Sequence, residues 1–259
     1  MFEVAEAYEV RMGRWSRQVA PLFVEFAGVR DGEKVLDVGC GTGSLSATLA
    51  RGTKASKIVG IDPSEGYVEY ARTHVADPRV TFEVGDAQNL PYPDASFDRC
   101  MALLAVDWIP DARKAAIEMR RVTKIAGVVA TTMWDRSRAN ELDGCFWDAA
   151  EAIDPTAKRS AWRRGSYGSA EALSELWNGA GLTDIEVTDL TLSCQFSSFD
   201  DLWQRYRTGD GNTDAYMEGL TEDRREALKQ RLRQDVLRGG ADGSFTLQVK
   251  AWAVRGTVP

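Results

Sequence analysis

The sequence predicts an α/β fold: a doubly wound, mostly parallel seven-stranded sheet with an antiparallel edge strand and a helical cap formed by insertions. Three observations carry this. Short apolar runs alternate with helix-forming runs from residue 33 to residue 134, a glycine turn joins the first apolar run to a helix, and two longer apolar runs close the chain. Strands alternating with helices at this spacing give a parallel sheet covered on both faces.

Each element follows from its local pattern. An N-terminal segment has helical spacing at Val19, Leu22, Phe23 and Phe26. Strand candidates are EKVLDVG (33–39), KIVGID (57–62), RVTFEVGD (79–86), FDRCMALLA (97–105) and GVVATTMW (127–134), with the helix formers SLSATLAR, SEGYVEYARTHV and ARKAAIEMRRVT among them. TDIEVTDLTLS and GSFTLQVKAWAVRG read as two longer strands, the second alternating Phe245, Leu247, Val249, Ala251 and Ala253 on one face, and they close the sheet as an antiparallel edge pair. Residues 136–180 and 196–243 are rich in helix formers and have no place in the sheet, so they read as insertions over its carboxyl edge, where open α/β sheets bind ligands. Thr221 before Glu222 and Asp223 marks a helix start there, and Gly239-Gly240 marks its stop. One domain over 1–259 results: a helical lid (1–30), a ligand-binding core (31–135), two cap insertions (136–180, 196–243) and two closing strands (181–195, 244–256).

A chain of 259 residues can bury a full core. No apolar run approaches the length of a bilayer span, and MFEVAEAYEV is acidic where a secretory signal is basic and then apolar, so a cytoplasmic location is expected. The net charge of −7 argues against nucleic acid as a partner. Cys40, Cys100, Cys145 and Cys194 form no C-x-x-C pair and His74 is the only histidine, which supports neither a metal site nor a disulfide framework. His74, in ARTHVADP, reads as a polar residue favouring the C-terminus of a helix.

The stretch VLDVGCGTGSLS, residues 35–46, carries the first chemical signal. A strand, a tight turn and a helix N-terminus follow one another, which offers unpaired backbone N–H groups to a polar ligand. A phosphate-cradling loop needs Lys-Ser or Lys-Thr after its last glycine, and Gly43 is followed by Ser44 and Leu45. A dinucleotide fingerprint is spaced G-x-G-x-x-G, whereas Gly39, Gly41 and Gly43 are spaced G-x-G-x-G. A plain connector is the alternative reading of the turn alone.

Acidic residues at strand ends decide between them. Asp62 ends the second strand about 20 residues beyond the turn, where a carboxylate accepts hydrogen bonds from both hydroxyls of a ribose. Asp62 could instead cap the next helix, although Ser64 is placed to do so. Asp86 ends the third strand, where its carboxylate and the Ala87 N–H can meet a purine edge.

Together, VLDVGCGTG, VGIDPSEGYVEYAR, VGDAQNLPYPDASFD and RRVTKIAGVVATTMW resemble the successive motifs of class I S-adenosylmethionine-dependent methyltransferases, in the branch similar to ubiquinone and menaquinone biosynthesis methyltransferases (methyltransferase type 11). The likeness covers about residues 30 to 135, with YEVRMGRWSR and SFTLQVKAWAVRG as weaker matches. It implies a Rossmann-like fold, S-adenosylmethionine as cofactor and S-adenosylhomocysteine as product. It also implies that Gly39, Cys40, Gly41 and Gly43 approach the methionine part, that Asp37 lies under the turn, and that Asp62 with Pro63 takes the ribose. Asp86 with Ala87 would take the adenine, and Ala102 and Leu103 the amino-acid end. Lys124-Ile125-Ala126-Gly127 departs from the family's Pro-Gly-Gly turn.

Other expectations are weighed against plainer ones. The segment Tyr8 to Arg17 is a lid, with Tyr8 and Met12 over the cofactor and Arg14 at its carboxylate, or else a docked amphipathic helix with solvated arginines. Asp107 is the candidate general base, or else a polar loop residue. Trp134, Trp147, Trp162, Trp177 and Trp203, with Phe146 or Tyr167, line a pocket for an apolar or aromatic small-molecule acceptor, or else form cap core. Two rivals differ in class. An NAD-dependent reductase lacks the glycine spacing and a Tyr-x-x-x-Lys pair and leaves Asp86 without a role, whereas a non-catalytic cofactor-binding module of the same fold is separated only by turnover. Oligomeric state and acceptor atom are not legible.

Overall fold

The computed structural model describes residues 5–6, 8–136, 140–157, 167–207 and 212–259. Seven strands, β1 (Lys34–Val38), β2 (Lys57–Asp62), β3 (Val80–Val84), β4 (Phe97–Leu103), β5 (Thr123–Trp134), β6 (Thr183–Phe196) and β7 (Phe245–Thr257), form one sheet in the order β3-β2-β1-β4-β5-β7-β6. The first five strands are mutually parallel, and β7 runs antiparallel to both β5 and β6. The antiparallel strand thus lies one place in from the edge, and β6 forms the edge. The β6–β7 register runs from Thr183 opposite Thr257, through an irregularity before Glu186, to Phe196 opposite Phe245. Along β6, Leu190, Leu192, Cys194 and Phe196 face inward while their neighbours are exposed, the period-two pattern of a strand with one wet face.

Nine helices are described: α1 (Arg14–Ala27), α2 (Ser44–Gly52), α3 (Glu65–His74), α4 (Ala112–Val122), α5 (Glu141–Ile153), α6 (Ala170–Gly179), α7 (Phe199–Arg205), α8 (Asn212–Glu218) and α9 (Glu222–Leu237). Their starts follow capping chemistry: Ser64, Asp111 and Ser169 accept the N–H groups of Tyr67, Lys114 and Ala172. Thr221 stands at the N-cap of α9, and Gly239 follows its end with a φ of +74°. At the close of α3, His74 stacks on Tyr70 with ring centroids 3.8 Å apart, in keeping with the plain reading of that residue.

Two apolar layers sandwich the sheet. One joins Trp15, Val19 and Phe23 of α1 and Leu45 and Leu49 of α2 to Met101, Ala130 and the interior of the cap. α1 is therefore a docked amphipathic helix, preceded by the π-helical turn Glu9–Gly13. The other layer joins Leu36, Val38 and Cys100 to Met119 of α4 and Leu173, Leu176 and Trp177 of α6. This corrects the 136–180 insertion: α6 covers the sheet as a crossover helix, and the cap consists of α5, α7, α8 and α9. Its apolar stripe must be buried, and the uncovered strands β5, β7 and β6 provide the surface. Among the described residues no helix is long and apolar enough to cross a membrane, no acidic, His and Cys cluster could hold a metal, and the four cysteines are unpaired.

Candidate active site

The strand order reverses between β1 and β4, so the loops leaving them diverge and open a crevice at the carboxyl edge. The glycine turn enters that crevice. Gly39 has a φ of +68°, and a Cβ there would stand 2.6 Å from the Ala105 Cβ, so only glycine fits. A Cβ on Gly41 would meet nothing within 4 Å, which marks open space beside the turn. The turn's donors are not unpaired as expected. Gly39 and Cys40 donate to the Ile61 carbonyl (2.8 and 3.1 Å), Gly41 to Asp62 Oδ2 (2.9 Å) and Gly43 to the Cys40 carbonyl (2.9 Å). Buried N–H groups need partners, and the end of β2 provides them.

Asp37 lies under the turn, fully buried. Its Oδ2 accepts the backbone N–H and the hydroxyl of Ser46 (3.1 and 2.7 Å), which caps the first turn of α2 from the strand behind it. Its Oδ1 is buried with no hydrogen-bond partner among the described residues. Burial pushes the carboxyl up to about 7, against the pull of the two Ser46 donors. Burial likewise pushes the Cys40 thiol well above its usual range, so Cys40 contributes backbone and packing rather than a thiolate.

Asp62 is 8% exposed, and its Oδ1 accepts the Ser64 N–H at 2.9 Å. Burial raises its carboxyl, while the Ser64 and Gly41 donors pull it down. Ser64 caps α3, so Asp62 is not the cap; Pro63 beside it is exposed. Asp86 is exposed at the end of β3, held below the usual carboxylate range by the backbone and side-chain donors of Gln88, and Ala87 is buried next to it.

Ala102 is buried, and its carbonyl accepts the Thr131 hydroxyl at 2.8 Å. Leu103 is half-buried, and Leu104 after it has a φ of +57°, a left-handed conformation that a branched residue keeps only where its surroundings enforce it. Nothing in the sequence signals this. The Asp107 side chain is 2% exposed; its Oδ2 pairs with Arg136 at 2.7 Å, and its Oδ1 accepts the Tyr167 N–H at 3.0 Å. Asp107 thereby ties the loop after β4 to the segments after β5 and before α6.

Ahead of α1, the Tyr8 ring lies 5.6 Å from that of Tyr67 on α3. Met12 and Arg14 go elsewhere. Met12 packs against the cap, its sulfur 3.8 Å from Arg205, and Arg14 pairs with Asp201 of α7 at 3.1 Å while lying over Trp15 and Phe196. Glu9 takes the place beside the turn, where its carboxylate accepts the Thr42 hydroxyl and pairs with Arg17. The basic and acidic alternation of this segment was visible in the sequence, but not which member reaches the turn.

The tryptophans divide. Trp177 lies beneath the sheet, its indole N–H donating to the Val129 carbonyl at 2.9 Å, away from any carboxyl-edge pocket. Trp147 meets Phe146 edge to face and Tyr216 at a tilt inside the cap, and Trp203 joins Phe199 and Tyr206 there. Trp162 lies outside the described residues. Trp134 ends β5, and its indole N–H, that of Trp147, the Tyr216 hydroxyl and the Asn140 Oδ1 are buried with no hydrogen-bond partner among the described residues.

Residues 35–127 match a family model described as a methyltransferase domain. The methyltransferase GfsG of Streptomyces halstedii is 42% identical over 174 residues, covering 63% of this chain and 57% of that protein. The 2-methyl-6-phytyl-1,4-hydroquinone methyltransferase of Synechocystis is 32% identical over 179 residues, covering 67% of this chain and 54% of that protein. The chain thus spans little more than half the length of these curated relatives. The phosphoethanolamine N-methyltransferase 2 of Haemonchus contortus, in complex with S-adenosyl-L-methionine, shares the fold with a TM-score of 0.61 at 17% identity over 100% of this chain and 58% of that one.

Proposed function

We propose, from the premise that residues 35–127 are a class I methyltransferase domain, that the chain transfers a methyl group from S-adenosylmethionine to an apolar or aromatic small molecule. The observation that carries this reading is the row of carboxylates at the ends of β1, β2 and β3, Asp37, Asp62 and Asp86, around a turn with open space at Gly41. The Asp37 Oδ1, buried and without a hydrogen-bond partner among the described residues, is an acceptor under that turn, and the ammonium of the cofactor's zwitterionic amino-acid end is a donor suited to it. The residues therefore fit the cofactor.

Bound there, S-adenosylmethionine supplies an electrophilic methyl group on a sulfonium. Gly39, Cys40, Gly41 and Gly43 let the backbone come close to its methionine part. Asp62, with the backbone at Pro63, holds the ribose, because each carboxylate oxygen keeps a lone pair beyond its one N–H partner. Asp86 and the Ala87 N–H meet the adenine, and Ala102 and Leu103 contact the amino-acid end. Displacement at a methyl group is in line, so placement of the two reactants supplies most of the advantage, about 7–11 kcal/mol at best. For an oxygen or nitrogen acceptor that must lose a proton, Asp107 is the base, with Arg136 and the Tyr167 N–H fixing its orientation.

The acceptor class rests on the cap. Its interior is aromatic, and the unpartnered groups of Trp134, Asn140, Trp147 and Tyr216 offer hydrogen bonds to a mostly apolar molecule. Calorimetry is the first test. S-adenosylhomocysteine should bind and NADH should not, and the reverse result ends the methyltransferase reading. Metabolite pools screened by thermal shift with S-adenosylhomocysteine present should then yield apolar or aromatic ligands.

A further inference from the structure

The junction between β5 and α5 holds two buried polar groups that the described residues leave without a partner. Trp134 ends β5 and packs against the apolar layer that includes the cap interior, and its indole N–H meets no acceptor there. Asn140 stands at the N-cap of α5, only 2% exposed, and its Oδ1 meets no donor among the described residues. An asparagine in this position ordinarily turns its Oδ1 onto the first N–H groups of the helix. Here it makes no such cap. The side-chain amide instead donates to the Asp135 carbonyl at 3.1 Å, which turns Oδ1 away from that carbonyl.

The surroundings hold both groups in place. Trp134 lies opposite Ala251 of β7, the Asp135 N–H donates to the Lys250 carbonyl at 2.8 Å, and the Arg136 N–H donates to the Gly168 carbonyl at 3.1 Å. Arg136 also pairs with Asp107, so the loop after β4 is anchored on the same segment. Trp134 is joined to Asp135 by the chain and Asn140 by its amide, which sets a fixed donor and a fixed acceptor at the carboxyl edge of β5. The other unpartnered cap groups lie further in. Trp147 stands two turns along α5, and the Tyr216 hydroxyl lies where the charges of Asp154 and Arg224 act on it. Asp154 closes α5, about 20 Å from Asn140 for a helix of this length.

We infer that Trp134 and Asn140 read a hydroxyl group on the acceptor, the indole N–H donating to its oxygen and the Asn140 Oδ1 accepting its O–H. This rests on the acceptor class named under Proposed function and adds the group by which that molecule is recognised. Buried polar groups in folded chains are paired, so two that are not call for a partner from outside the chain. An indole N–H only donates and this Oδ1 only accepts, so the atom that meets both must do both, as a hydroxyl oxygen does. A carbonyl or ether oxygen leaves Asn140 unmet, an ammonium leaves Trp134 unmet, and a methyl group leaves both. The rest of that layer, with Ala130, Leu142 and Phe146, is apolar and suits the remainder of the molecule.

Three probes of similar size separate the possibilities: phenol donates and accepts, anisole only accepts, and toluene does neither. With S-adenosylhomocysteine present, NMR titrations of the isotope-labelled full chain follow the Trp134 indole N–H, assigned by its loss in W134F. Phenol should shift this resonance and bind about threefold to tenfold more tightly than anisole, the equivalent of one neutral hydrogen bond. N140A should bring phenol to the affinity of anisole and leave anisole unchanged, while W134F should lower both towards toluene. Circular dichroism and S-adenosylhomocysteine affinity check the fold of both variants, and the comparison of phenol with anisole in the wild type needs no variant. An unmoved Trp134 resonance, equal binding of phenol and anisole, or a preference that survives in N140A overturns the hydroxyl reading, while binding of S-adenosylhomocysteine keeps the methyltransferase reading. Failure of the wild-type chain to bind S-adenosylhomocysteine overturns both.

Discussion

Asp62 Oδ2 accepts the backbone N–H of Gly41 at 2.9 Å, so the end of β2 and the centre of the glycine turn form one hydrogen-bonded unit. Removing this carboxylate frees the part-buried Gly41 N–H and, on the proposed function, deletes the partner of the ribose. Asp62→Ala should weaken S-adenosylhomocysteine binding about tenfold to a hundredfold, the equivalent of one or two charged hydrogen bonds. Unchanged affinity by calorimetry would remove Asp62 from the site.

Asp37 makes stability depend on pH. Its carboxyl lies at about 7 in the folded chain against an ordinary 3.8. The folded state therefore holds the proton more tightly than the unfolded one, and the stabilisation this gives is complete below about pH 4 and lost as pH rises through about 7. Asp37→Asn carries no proton to lose. Denaturant melts at several pH values should show the wild type losing ground to this variant by up to about 4 kcal/mol across that window. A difference independent of pH would contradict the buried, ionisable carboxyl.

For Asp107, base and anchor make different demands. If it removes a proton from the acceptor, Asp107→Asn should lower turnover by about 10² to 10⁴ and leave S-adenosylhomocysteine affinity alone. As an anchor for Arg136 and Tyr167 only, the variant should melt earlier, with turnover per folded molecule intact and no change in the pH profile of the rate.

Trp147 and Trp177 are both buried tryptophans, yet they face different layers. Trp177→Ala should cost about 3–5 kcal/mol of stability and spare activity per folded molecule, because the indole fills the space between α6 and the sheet. Trp147→Ala should impair acceptor turnover more than cofactor binding. Equal activity per folded molecule in both variants would make the cap aromatics core alone.

Arg99 is 3% exposed, pairs with Glu33 through two nitrogens at 2.8 and 2.9 Å, and also donates to the Ala27 carbonyl at the end of α1. It fastens α1 to β1 at the edge of the sheet opposite the glycine turn. Arg99→Ala leaves Glu33 without its cation and should cost about 3–5 kcal/mol. S-adenosylhomocysteine affinity of the folded variant, measured well below its melting temperature, should be close to wild type.

What the sequence determined by itself was set by near neighbours. The alternation of periods 2 and 3.6 identified the sheet and its covering helices, Gly39 to Gly43 identified the turn, and Ser64 before α3 left Asp62 available, as its cap to Tyr67 bears out. Such signals act over a few residues, so they survive without knowledge of the fold. Tertiary structure alone decided the rest. Arg14 meets Asp201 across 187 residues of chain, and the Tyr167 N–H meets Asp107 across 60. β7 passes between β5 and β6, and α6 settles beneath the sheet rather than in the cap. The glycine turn gives the N–H groups of Gly39, Cys40 and Gly41 to Ile61 and Asp62 and that of Gly43 to Cys40, while Glu9 reaches the turn at Thr42. In each case several similar groups competed for a partner, and the one that succeeded was the one that packing brought within hydrogen-bonding distance.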